Sequence, residues 1–180
     1  MASPGGRVHQ VCDEEGSGLT NDDVHGKLIE WLGSLLGIVV IMDHQQADRP
    51  AVPYGMVDLA NWRELSDHVD DISYADVGDT VVATPEIEIE WVFLFFIYGA
   101  SGENLVRRLQ SAVHLSQLQE PLRPVLTIHE VSAANSIPEL VGEQWEPRTQ
   151  VNIVVRGKSS DGFVIDVIEE HGFNFTGERA

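Results

Sequence analysis

The sequence predicts an α+β fold in a single domain, a mostly antiparallel β-sheet with helices packed on it. One observation is a long strand at Glu86–Tyr98, reading EIEIEWVFLFFIY. Another is a pair of amphipathic helical stretches, at 20–37 and 101–118. The remaining apolar runs are short, β-branched or alternating, and joined by short links. Their order, α-β-β-β-β-α-β-β-β, suits a sheet with helices segregated to it.

The long strand organises the chain. Glu86, Glu88 and Glu90 point one way and Ile87, Ile89 and Trp91 the other, the period-two pattern of a strand with one wet and one buried face. From Val92 both faces are apolar, with Phe93, Phe95 and Ile97 against Leu94, Phe96 and Tyr98. Such a strand needs a cover on each side, usually a helix on one. Trp91 and Phe95 are expected as core anchors on the inward face.

Residues 1–18 are rich in glycine, serine and charge and read as a flexible N-terminal arm, followed by a domain over 19–170 and a C-terminal tail over 171–180. The first helix opens at Thr20, an N-cap, with Asn21, Asp22 and Asp23 at the positive end of the helix dipole and Leu19 placed to staple to Val24. Val24, Leu28, Trp31, Leu32, Leu35 and Leu36 form its apolar stripe, and Gly37 ends it. Ile38–Met42 reads as a strand, 43–53 as a proline-fixed loop, and Tyr54–Glu64 as a second strand with a bulge at Gly55. The segment to Thr80, with five aspartates, reads as an exposed hairpin loop or an insertion. Thr80–Ala83 re-enters a strand that Pro85 breaks before the long one.

The turn Gly99-Ala100-Ser101-Gly102 leads into the second helix, capped by Ser101, with Leu105, Val106, Leu109, Ala112, Val113 and Leu118 at helical spacing. Pro121 and Pro124 stop it. Strands follow at Val125–Ser132, Arg148–Arg156 and Phe163–Ile168. The link 133–143 reads as a loop with a short helical turn near Pro138. Val151, Ile153 and Val155 face inward.

With 180 residues the chain suits one domain that buries roughly 70% of its unfolded surface. Eleven basic against twenty-nine acidic side chains give a net charge of −18, which disfavours a direct grip on nucleic acid phosphates or anionic membranes. Cys12 is the only cysteine, so no internal disulfide forms. Neither a signal-peptide core nor an apolar run near ~20 residues is present, so a soluble protein of a reducing compartment is expected.

The chemistry-bearing residues do not assemble into a motif. Histidines at 9, 25, 44, 68, 114, 129 and 171 lack metal-ligand spacing, and His129 and Glu130 are expected on opposite strand faces. The aspartates at 67, 70, 71, 76 and 79 lack the rhythm of a calcium loop. Gly99–Gly102 lacks the lysine and hydroxyl that end a phosphate loop. Glu86, Glu88 and Glu90 alone have a defined geometry. Same-face neighbours sit ~6.6 Å apart, where two carboxylates repel by about 0.6 kcal/mol in water. The row is therefore wet or matched by cations, with Arg148 and Arg156 as candidate partners on a neighbouring strand. A carboxylate pair for glycoside hydrolysis would fit that distance, but no cleft accompanies it.

The segment order, with QQADRPAVPYG at Gln45–Gly55, FFIYGASG at 95–102 and GEQWEPRTQVNIVV at Gly142–Val155, resembles the tailed-bacteriophage neck and tail-terminator proteins. The resemblance covers roughly 20–170; the arm 1–18 and the aspartate-rich segment 67–79 have no counterpart. It implies a structural virion protein with no enzyme activity, cofactor or metal. Six copies would form a ring that caps the head-proximal end of the tail tube. The ring would meet the tail tube protein, a head-completion or connector protein and any tail sheath, with DNA passing through the lumen. The expected location is the virion neck, after assembly in the host cytoplasm. Interface or lumen positions are expected among Asp67, Asp70, Asp71, Asp76, Asp79, Glu86, Glu88, Glu90, Phe173 and Phe175. The alternatives are another head-to-tail connector or tail-completion protein, a small hydrolase using the glutamate row, and a monomeric binding module.

Overall fold

The computed structural model describes residues 19–43, 49–78, 80–141 and 143–165. Helix α1 (Asn21–Leu36) begins in a capping box: the Thr20 hydroxyl accepts from the Asp23 amide, and the Asp23 carboxylate accepts from the Thr20 amide at 3.1 Å. The first-turn amides, which have no partner within a helix, thus find one. Gly37 closes α1 at φ 69°, a left-handed conformation that costs a residue without Cβ little. Val24, Leu28, Trp31, Leu32 and Leu36 are buried, as the stripe predicts.

Strands β1 (Val39–Met42), β2 (Tyr54–Glu64), β3 (Asp71–Val77) and β4 (Thr80–Tyr98) follow, then α2 (Gly102–Val113), α3 (Ser116–Gln119) and a 3₁₀ turn at Glu120–Leu122. The chain ends its described part in β5 (Leu126–Val131), β6 (Asn135–Ser136), β7 (Glu139–Val141), β8 (Gln144–Glu146), β9 (Arg148–Ser160) and β10 (Phe163–Ile165). The main sheet runs β1-β2-β4-β9-β5. Among the described residues only β1 and β2 pair in parallel. The fold is α+β, as the sequence predicts.

β4 is the spine. One edge carries β2 from Ile89 to Tyr98 and then β3 from Thr80 to Glu86; the other carries β9 from Glu86 to Tyr98 and then β10 from Val81 to Ala83. Pro85 does not break it, contrary to the sequence reading. It falls in the gap between the ladders of β10 and β9, where a missing N–H is tolerated. Nor does Gly55 mark a bulge; the register shift lies between Leu59 and Asn61. Gly55 instead lets Phe95 lie against the backbone, since a Cβ there would stand 2.6 Å from the ring.

Trp91, Phe93, Phe95 and Ile97 are fully buried with Val151, Ile153 and Val155, under Val24, Leu28 and Leu32 of α1 and Val106 and Leu109 of α2. Among the described residues the expected helical cover is on one face only: Val92, Leu94 and Phe96 are half-buried and lie outside the core, and no described helix packs on the second face.

Other elements differ locally. Ser101 precedes α2 but gives no side-chain cap; its carbonyl accepts from Asn104 and Leu105. The second helix is not continuous to Leu118, because it ends at Val113 and restarts at Ser116. The helical turn expected near Pro138 is absent: Ile137 donates to the Arg148 carbonyl, and β7 pairs with β8 as a separate hairpin. Where Leu126 faces Gly157, a Cβ on Gly157 would meet the Val125 carbonyl at 2.6 Å and Leu126 Cδ2 at 2.9 Å. A backbone atom cannot yield cheaply, so Gly157→Ala is expected to destabilise by about 1–3 kcal/mol. A urea melt matching wild type would show that β5 lies farther from β9 than this.

Candidate functional surface

Two of the three carboxylates in the glutamate row, Glu86 and Glu90, are matched by cations. Antiparallel pairing sets Arg63 of β2 and Arg156 of β9 on either side of Glu90, and each guanidinium donates through Nε and an Nη to one carboxylate oxygen. The Nη contacts are 2.7 Å on both sides. Two forks on one carboxylate leave Glu90 nearly inaccessible and hold its pKa below the usual carboxylate value, through the bonds from Arg156 first and Arg63 second. Two residues on, Lys158 donates to Glu86 at 3.0 Å. That ion pair raises the Lys158 pKa, with Asp70 and Glu88 adding to it. Glu88 is exposed and makes no ion pair among the described residues. Arg148, the other expected partner of the row, pairs with Glu139 instead.

A depressed folded-state pKa means Glu90 stabilises the fold above the ordinary carboxylate pKa and loses that contribution as pH falls through the folded value. Glu90→Gln is expected to lower stability by roughly 1–3 kcal/mol at neutral pH. Urea melts of wild type and variant should converge as the pH falls through the depressed folded-state pKa of Glu90 and the carboxylate is protonated. A gap that persists in acid would assign the loss to shape rather than to charge.

The aspartates of the hairpin stand around the same end of the row. Asp71 pairs in register with Glu86, and the Asp70 amide donates to the Glu86 carbonyl. Asp67, Asp70, Asp71 and Asp76 are all exposed. Asp79, Phe173 and Phe175 lie outside the described residues. Asp71 therefore shares a face with Glu86, near Lys158, whereas Asp76, opposite Val81, points to the other face of the sheet. A carboxylate held by two arginines is a poor general acid or base, and among the described residues no group of three His, Cys, Asp or Glu side chains is placed to hold a metal.

Several exposed apolar side chains were not singled out by the sequence. Tyr74 of β3 and Phe163 of β10 flank Ala83 of β4 across the protruding end of the sheet. Leu140 and Trp145 face each other across the β7–β8 ladder. Trp145 is 69% exposed, and the alternation around it, Gln144-Trp145-Glu146, was its only sequence signal. At the base of this hairpin Tyr98 donates to Glu139 at 2.6 Å. Burial, then the Glu139 carboxylate, push its phenol up to about 12. Tyr54 stacks on Tyr98 with ring centroids 4.8 Å apart.

A family model described as phage neck terminator protein matches residues 26–178. Among solved structures, the chain is similar to one from the virion of the native gene transfer agent particle, at 14% identity. That match covers 72% of this chain and 84% of that one, with a TM-score of 0.30. A second solved chain is 14% identical over 84% of this chain and all of its own, with a TM-score of 0.31. No curated protein matches significantly.

Proposed function

Because the chain belongs to the phage neck terminator protein family, a family of structural virion proteins, we propose that it caps the head-proximal end of the tail tube as a closed ring. Six copies would make the ring, and its upper surface would receive the head-completion or connector proteins while DNA passes through the lumen. Assembly takes place in the host cytoplasm before the tail joins the head. The family match over 26–178 carries this reading. An acidic chain of net charge −18 supports it, because a basic wall would hold the phosphates by releasing their counterions.

The lumen draws its carboxylates from the hairpin at Asp67, Asp70, Asp71, Asp76 and Asp79, with Glu88 beside them. Glu86 and Glu90 are already neutralised by Lys158, Arg63 and Arg156, which favours the hairpin over the row. The apolar Phe173 and Phe175 serve contacts between subunits or with the tube. Tail assembly without this protein tests the proposal. Tubes of unregulated length that fail to join heads, corrected by adding the purified chain, are expected. Normal tube length and joining in its absence would refute the terminator role.

A further inference from the structure

The open face of the sheet is apolar at its centre and carries no helical layer among the described residues. Val92, Leu94 and Phe96 of β4 stand beside Val154 of β9, all half-buried. The β7–β8 hairpin lies over one end of this face, tied down on its inner side by Glu139, which accepts from Tyr98 at 2.6 Å and from Arg148 at 3.2 Å. Successive residues of a strand point to opposite sides. Leu140 and its cross-strand partner Trp145 therefore point away from the sheet, 53% and 69% exposed. Glu143, in the turn, is exposed beside them. An exposed tryptophan with an apolar neighbour has the composition of an interface anchor.

The helical layer on the opposite side of the protomer holds a groove. Two adjoining hollows of about 240 and 200 Å³ share Trp31, Ser34 and Pro121. Leu35, Leu118, Gln117 and Arg108 line one, and Leu122, Lys27 and Glu30 the other. Arg108 makes no ion pair among the described residues. Glu30 balances Lys27 in its hollow, so the net positive charge of this largely apolar groove stands at the Arg108 end, in a chain of net charge −18.

We propose that this groove receives the Leu140–Trp145 knob of a second copy of the chain. Glu143 of the incoming hairpin meets Arg108, and the helical layer of one copy covers the open sheet face of the next. An aromatic side chain offers roughly 150–250 Å² to bury in such a groove. Knob and groove lie on opposite faces of one protomer, so a single contact repeats head to tail, the heterologous arrangement from which rings close. The partner is another copy because the two surfaces match in charge and polarity: an apolar knob flanked by Glu143, and an apolar groove whose open cation is Arg108. The inference rests on the ring reading above and names its contact.

The test measures assembly of the full chain by sedimentation and by occupancy of tail tubes. Trp145→Ala should melt as wild type does, since the side chain is exposed, yet weaken assembly roughly 30-fold or more. Glu143→Arg and Arg108→Glu should each weaken assembly, and their combination in one chain should restore it. Assembly undiminished in all three single variants would overturn this contact while leaving the ring in place. Loss with Trp145→Ala but no effect and no rescue from the charge pair would move the knob to another surface and also overturn it. Wild-type chain that stays monomeric both in solution and on tubes would fail the ring reading itself.

Discussion

Replacing Trp91 or Phe95 with alanine is expected to cost roughly 3–5 kcal/mol each, a large share of the ~5–15 kcal/mol that holds a domain folded. Both side chains are fully buried under α1 and α2. Trp91 Nε1 donates to Asn21 Oδ1 at 2.7 Å, so its loss also frees the start of α1 from the sheet. Phe95 lies against Gly55, where β2 has no side chain to move into the space left behind. Strands β2 and β9 hold β4 on both edges, which limits collapse around either cavity. Phe96→Ala is the control. Its side chain sits on the open face, half-buried, and its loss should cost less than half as much in the monomer. Equal losses for Phe95 and Phe96 would mean that both faces are covered within one chain.

The second large effect concerns DNA. Replacing Asp67, Asp70, Asp71, Asp76 and Asp79 with lysine reverses five charges, and the four that are described are exposed. Folding should be little affected, because among the described residues none of those four takes part in an ion pair. DNA moving through the ring would now meet a basic wall. Ejection should slow or stop at low salt and recover as salt screens the added charge. Normal ejection at low salt, from particles shown to carry the variant, would remove the hairpin from the channel and leave Glu88 and its neighbours as the wall.

Where local chemistry decides the structure, the sequence was a sufficient guide. Thr20 and Asp23 mark the start of α1, and the alternation through β4 separates Trp91, Phe93 and Phe95 from the glutamates. What it missed depends on pairing. Pro85 looks like a break until β9 and β10 leave a gap opposite it. The parallel β1–β2 pair has no local signature that distinguishes it from an antiparallel one. The site shows the same division. Arg156 was legible as a partner for Glu90 because both lie on regular alternating strands. Arg63 was not: the register shift between Leu59 and Asn61 brings it, rather than Trp62, opposite Glu90. The Leu140–Trp145 pair was hidden because segments of three residues are too short for alternation to declare a hairpin.

The central claim is a ring of this chain at the head-proximal end of the tail. Cryo-electron microscopy of intact particles, with the copy number counted at that layer, tests it most directly. The account predicts six copies closing one ring between the last tube layer and the head-completion proteins. A single copy there, or density for the chain elsewhere in the particle, would contradict it.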